Sequence, residues 1–189
     1  MIHTITHRGR RLVLVTNGEN VLAAVPDFDA DPLALDRQVC FALAVASRSV
    51  IGVYRPLLEP LQLTHPQYLV MLALWERSPR SVKDLSASLR LDPATLSPLL
   101  KRLEALGYLT RRRSAEDERV LVVELTDTGR DLRSEAEKIP PAVVERLGID
   151  VPELVELHVA LTRVIAAANR LPDADTDTAG GDTNSRAGG

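Results

Sequence analysis

Between Ser81 and Leu125 four local patterns follow one another in a fixed order, and that order narrows the fold more than anything else in the chain. Ser81–Leu89 reads as a short helix with Val82, Leu85 and Leu89 inward; Ser81 stands at its N-cap with Asp84 three residues on. Leu91-Asp92-Pro93 is a turn. Asp92 is placed to cap a second helix, and Pro93 takes its first position, where a missing N–H costs nothing. Leu96, Leu99, Leu100, Leu103 and Leu106 then share one face, and Gly107 is the stop signal. Tyr108–Arg113 and Arg119–Leu125 are strand-like runs joined by the polar Ser114-Ala115-Glu116-Asp117-Glu118. Short helix, tight turn, leucine-faced helix and β-hairpin together describe a winged helix-turn-helix.

In that motif the polar face of the second helix enters the major groove of double-stranded DNA. Ala94, Thr95, Ser97 and Pro98 are small enough for close approach, and Thr95 and Ser97 can bond base edges or phosphates. Lys101 and Arg102 lie one turn on, where phosphates pass. The hairpin carries Arg113 at the end of its first strand and Asp117 and Arg119 at its tip; an arginine there can enter the minor groove, with Asp117 expected to hold its guanidinium. Charge agrees. The whole chain is at −3, yet Ser81–Arg113 holds seven cations against three anions, a local +4. The competing reading is a helix and hairpin used only for packing, with Arg111–Arg113 as a soluble edge strand.

The rest of the chain divides around this block. Residues 1–34 form an extension in which Arg11–Thr16 and Asn20–Val25 read as a β-hairpin through Asn17-Gly18, followed by a Pro/Asp linker. Residues 35–62 turn helical: Val39, Leu43, Ala46, Val50, Val53, Leu57 and Leu61 repeat nearly as a heptad seam, with Pro56 and Pro60 expected to bend or end the helix. Pro66–Arg77 is a second apolar helix, and the DNA-binding block is bounded as 63–126. Residues 127–171 hold a helix from Thr126 to about Ile139, an interruption at Pro140-Pro141, and an amphipathic helix with Leu154, Leu157, Leu161, Val164, Ile165 and Ala168 inward. Residues 172–189 are an acidic tail expected to be disordered. The two long helices carry more apolar stripe than a small wing domain can cover, which points to a homodimer.

Composition closes off other classes. With 45% hydrophobic residues in a 189-residue chain, a real core can be buried. The single cysteine, Cys40, excludes an internal disulfide and a Cys-rich zinc site, and His3, His7, His65 and His158 show no metal-ligand spacing, so neither metal nor cofactor is expected. The longest uncharged stretch, Pro60–Trp75, carries two prolines and is no membrane span. Without a targeting signal, and with a free thiol, the chain is expected in the cytoplasm.

Leu35-Asp36-Arg37-Gln38-Val39-Cys40-Phe41, Tyr54-Arg55-Pro56-Leu57-Leu58, Pro66-Gln67-Tyr68-Leu69, Leu91–Arg102 and Arg113–Arg119 resemble the MarR family of transcriptional regulators. Gln38-Val39-Cys40-Phe41 resembles its organic hydroperoxide-sensing branch in particular. The resemblance implies a mainly α homodimer with a small β-wing and interlocking terminal helices, repressing transcription from a pseudo-palindromic operator. It also implies that the residue matching Tyr54 hydrogen-bonds the partner subunit's cysteine. A second family tyrosine is replaced here by His65, which can donate to a thiolate and can also protonate.

Cys40 decides the mechanism. A lone cysteine is often a small core hydrophobe. The first turns of a helix favour a thiolate, Arg37 adds positive potential, and Leu43 and Ala44 offer an apolar wall. Fourteen residues of straight helix separate Cys40 from Tyr54 by about 21 Å, so the two can meet only across a dimer. An organic hydroperoxide would oxidise Cys40 to a sulfenic acid, and a low-molecular-weight thiol would resolve it. The alternative is a repressor of the same build that answers to a small aromatic ligand. A thiol peroxidase would leave the basic helix-turn-helix unexplained, so no enzyme is expected.

Overall fold

Capping residues and leucine spacing place the helices. The computed structural model describes residues 2–7, 10–17, 19–24, 31 and 33–170. The chain forms two units that meet in sequence at Val143 and Val144.

In the first unit, β1 (Ile2–His7), β2 (Arg10–Asn17) and β3 (Glu19–Ala24) make an antiparallel meander; β2 and β3 are the expected hairpin, and β1 is an addition to it. A single 3₁₀ turn, Leu35–Arg37, precedes α1 (Val39–Leu58). The helix thus starts at Val39, not at Leu35, and Arg37 lies before it rather than one helical turn below Cys40. Pro56 does not stop α1, which continues to Leu58; Pro60 sits in the 3₁₀ turn Glu59–Leu61 that does. Gln62, left-handed at φ 54°, reverses the chain into α2 (His65–Glu76). Thr64 caps α2, and Gln67 reaches back to the Thr64 amide at 2.8 Å.

Ser81 caps α3 (Val82–Leu89) by accepting from the Asp84 amide, and Asp92 caps α4 (Pro93–Ala105) by accepting from that of Thr95 at 2.8 Å. Leu96, Leu100 and Leu103 of α4 are buried against α2 and α3, each contributing about 2 kcal/mol of apolar transfer. Gly107, at φ 76°, ends the helix where a side chain would be strained. The wing strands β5 (Leu109–Arg113) and β6 (Leu121–Leu125) pair antiparallel, with Arg113 opposite Leu121. A third strand that the periodicity did not reveal, β4 (Arg80–Ser81), adds to β6 and makes the order β4-β6-β5.

Helix α5 (Asp127–Ala136) follows in the same unit, and α6 (Ile139–Leu147) runs across the division at Val143 and Val144. The break between them falls at Glu137 and Lys138. Pro140 and Pro141 do not interrupt a helix; they lie in the first turn of α6, where absent N–H groups cost nothing. The second unit contains α7 (Val151–Ala168), capped by Asp150 and Glu153. None of its residues is buried: Leu154 and Leu161 are half-buried, while Leu157, Val164, Ile165 and Ala168 are exposed. Helix α1 behaves alike, burying only Leu58 and leaving Val39, Phe41, Val45 and Ile51 exposed. These seams find no partner among the described residues of one chain. The expected tail, 172–189, lies outside the described residues.

Candidate functional site

Two sets of side chains stand out, one on the wing domain and one on α1. On α4, Ala94, Thr95, Ser97, Pro98, Lys101 and Arg102 are all exposed, on the side opposite the buried leucines. The Thr95 hydroxyl donates to the Asp92 carboxylate at 2.7 Å, so it keeps only acceptor capacity toward an outside partner. That hydrogen bond holds the Asp92 carboxyl below the usual carboxylate range.

Two of the seven cations in the patch are engaged within the domain. Arg111 is bound by Glu104: its amide lies 3.1 Å from the carboxylate, Nε 2.9 Å and Nη2 2.5 Å. Arg112 pairs with Glu124 at 3.2 Å. Lys83, Arg90, Lys101, Arg102 and Arg113 of the patch, with Arg119 at the wing tip, form no ion pair among the described residues and remain for an anion outside the chain. At the hairpin tip Asp117 accepts from the backbone N–H of Arg119 at 2.9 Å. The carboxylate fixes the turn; the expected contact with the Arg119 guanidinium is not formed. A short side chain two residues before an amide closes that ring more readily than it reaches a long mobile head group.

The sequence patterns missed the network that fixes these surfaces. Arg80 is almost wholly buried; it donates from Nε to Asp84 at 2.8 Å, from Nη1 to the Ala73 carbonyl at 3.1 Å, and from Nη2 to Ser88. Asp84 also takes Arg77 at 2.5 Å, and the Arg80 hydrogen bond is the main reason its carboxyl is held low. The cluster ties α2, β4 and α3 together. Glu104 with Arg111 ties α4 to the wing. Only the i,i+4 spacing of Arg80 and Asp84 hinted at any of it.

On α1, Cys40 occupies the second helical position and is exposed. Tyr54, fourteen residues later, is half-buried. Its ring stands edge-on to His65, with centroids 5.1 Å apart, and 6.0 Å from Tyr68, which in turn meets Trp75 at 6.3 Å. The structure therefore joins Tyr54 to His65, while about 21 Å of helix axis separates Tyr54 from Cys40 of its own chain. Burial lowers the His65 pKa below its ordinary 6.5. Beside His65 a groove of about 650 Å³ opens between α1 and the turn into α2. The end of α1 is also wired to the wing: the Tyr108 hydroxyl, at the base of β5, donates to the Leu61 carbonyl at 3.1 Å.

Residues 52–136 match the family model described as transcriptional regulator SarA/Rot. The organic hydroperoxide resistance transcriptional regulator of Bacillus subtilis is 42% identical over 127 residues, spanning 66% of this chain and 86% of that protein. The HTH-type transcriptional regulator TtmR of Methylorubrum extorquens is 46% identical over 123 residues, which span 65% of this chain and 63% of that protein. Among solved structures, reduced AbfR bound to DNA superposes with a TM-score of 0.61 at 30% identity, covering 74% of this chain and 97% of that one. CouR of Rhodococcus jostii bound to p-coumaroyl-CoA gives a TM-score of 0.60 at 25% identity over 70% of this chain and 94% of that one.

Proposed function

The chain belongs to the MarR family of winged-helix transcriptional regulators, in the branch of the Bacillus subtilis organic hydroperoxide regulator, and we propose that it is a homodimeric repressor released from DNA by oxidation of Cys40. The family consists of DNA-binding regulators, not enzymes. One observation carries the redox reading: the chain's single cysteine is exposed at the start of a helix whose apolar seam has no partner among the described residues.

The dimer follows from the same seam. Val39, Phe41 and Val45 on α1, with Val155, Leu157 and Val164 on α7, give residues 35–62 and 127–171 apolar area suited to a second copy. In such a dimer the partner's Cys40 meets Tyr54 and His65, which complete the sensing site across the interface. Ala94, Thr95, Ser97 and Pro98 of residues 63–126 approach base edges, and Lys101 and Arg102 hold phosphates. Arg113 and Arg119 follow the wing, whose tip Asp117 shapes. Two copies read half-sites of a pseudo-palindrome one helical turn apart. The protein acts in the cytoplasm, where its operator lies.

The chemistry balances without a cofactor. The Cys40 thiolate attacks the outer oxygen of an organic hydroperoxide. An S–O bond forms, the O–O bond breaks, and the alkoxide leaves and takes up a proton as the alcohol. A low-molecular-weight thiol then condenses with the sulfenic acid, releasing water and leaving a mixed disulfide. The added bulk displaces Tyr54 and His65, the end of α1 shifts, and the Leu61–Tyr108 hydrogen bond passes the shift to the wing.

The test is fluorescence anisotropy on DNA from upstream of the protein's own gene, titrated with cumene hydroperoxide. Wild type is expected to dissociate and Cys40→Ser to stay bound; equal behaviour of the two refutes the redox trigger. The groove beside His65 favours one second reading, release by a small aromatic ligand, because CouR, a structural neighbour, is solved with p-coumaroyl-CoA.

A further inference from the structure

Two routes leave the far end of α1 and converge on one junction at the base of the wing. The first is the hydrogen bond from the Tyr108 hydroxyl to the Leu61 carbonyl, 3.1 Å. The second runs through rings: Tyr54 packs 6.0 Å from Tyr68, and Tyr68 stands edge-on to Trp75 at 6.3 Å. Both spacings lie in the range where aromatic pairs attract. Tyr68 is only 3% exposed, so it has little space in which to absorb a displacement of Tyr54. Trp75 is half-buried, and α5 holds it twice: the indole N–H donates to the Gly129 carbonyl at 2.8 Å, and the Trp75 carbonyl accepts from Arg133 at 3.2 Å. Among the described residues, the hydrogen bonds between α2 and α5 are both made by Trp75. Gly129 in turn lies backbone against backbone with Tyr108, because a Cβ there would come within 1.9 Å of the Tyr108 carbonyl oxygen. The two routes therefore meet at Tyr108 and Gly129. On its open side the indole borders a cleft of about 540 Å³, shared with Ser78, Leu125 and Arg130, which leaves it room to turn.

Resting on the sensing role given above to Tyr54, we propose that Tyr68 and Trp75 are positioning residues that carry its displacement along α2 to α5 and the wing base. Close-packed rings transmit a shift rather than absorb it. When oxidation of Cys40 moves Tyr54, the enclosed Tyr68 moves with it. The indole then turns toward the cleft and lets go of the Gly129 carbonyl. With that hydrogen bond open, α2 loses its side-chain hold on α5, and α5 shifts together with the Tyr108 backbone it touches. The Leu61–Tyr108 hydrogen bond pulls on the same junction, so both routes favour one movement of the wing. Neither Tyr68 nor Trp75 touches the thiol or DNA; they set how strongly the state of one is felt by the other.

Trp75 is the chain's single tryptophan, so its fluorescence reports on the junction in the full-length protein. Cumene hydroperoxide is expected to shift the emission in wild type and in Tyr68→Phe, which keeps the ring, but not in Cys40→Ser or Tyr68→Leu. On operator DNA the coupling is the Kd of the oxidised protein over that of the reduced one. Trp75→Phe keeps a ring against Tyr68 and removes the indole donor. Its reduced Kd and its rate of Cys40 oxidation are expected to stay within about twofold of wild type, while the Kd ratio falls about fivefold, the worth of one hydrogen bond. A merely structural role would raise the reduced Kd and leave the ratio alone. An unchanged ratio, or an emission that stays put while Cys40 is oxidised, overturns the proposal. If peroxide neither oxidises Cys40 nor releases DNA, the redox reading has failed instead, and the relay is judged without peroxide. Tyr54→Leu then stands in for the displaced ring: it is expected to weaken operator binding about tenfold alone and about twofold in the Trp75→Phe background. Equal weakening in both backgrounds, or none in either, overturns the relay.

Discussion

Replacing Glu104 by Gln removes the charge that holds the wing to α4 while leaving the side chain's shape. The carboxylate takes three donors from Arg111 at 2.5 to 3.1 Å. Its side chain is 36% exposed and that of Arg111 25%, so solvent screening is substantial. Exposed pairs contribute ~0.2–1 kcal/mol, and this bidentate geometry belongs at the upper end, about 1 kcal/mol per subunit. Both wings of a dimer must be aligned at once, so operator binding should weaken by about 2 kcal/mol, a thirtyfold rise in Kd. Anisotropy titration measures it at fixed salt. Exchanging the charges, Glu104→Arg with Arg111→Glu, should recover most of the loss. Arg119→Ala should absorb the effect: once the wing tip contact is gone, Glu104→Gln has little left to cost. A Kd within threefold of wild type, or full additivity with Arg119→Ala, refutes the clamp. The pH dependence has a fixed sign. The Arg111 hydrogen bond lowers the Glu104 carboxyl below 4.5, so the clamp is complete above that value and is lost as pH falls further.

Other expectations follow from separate parts of the molecule. Gly129→Ala would place a Cβ 1.9 Å from the Tyr108 carbonyl oxygen, so the wing base must move; a loss of about 3 kcal/mol in urea unfolding is expected, and a loss under 1 kcal/mol contradicts the contact. Burial lowers the His65 pKa, so its contribution to stability is full above pH 6.5 and declines as pH falls below it; His65→Phe should flatten that part of the Tm profile, and an unchanged slope excludes His65 as its source. Mixed dimers of Cys40→Ser and Tyr54→Phe chains keep one intact sensing site only if the site spans two subunits; they should regain peroxide response that neither homodimer shows, and failure to regain it argues for a site within one chain.

What the sequence disclosed was local, and what it hid was long-range. Ser81, Asp92-Pro93 and Gly107 mark helix ends through their own backbone chemistry, and the structure has them in those roles. Strand β4 is two residues long and owes its existence to β6, some forty residues away, so no periodicity could announce it. Pro140-Pro141 reads equally as a break or a start, and the choice depends on where α5 frays. The local +4 already set Glu104 against the cations, but it left Arg112 uncompensated because its partner, Glu124, lies across the sheet and outside the counted stretch. The Tyr54–His65 contact joins residues that the family resemblance had already singled out, now with a distance.

The most direct measurement follows DNA release and the mass of the protein in one sample during stepwise addition of organic hydroperoxide. The expected result is that the bound fraction falls in proportion to the protein carrying one added oxygen, mapped by peptide fragmentation to Cys40. Release before any oxidation of Cys40, or complete oxidation of Cys40 with the operator still bound, would contradict a thiol-triggered repressor.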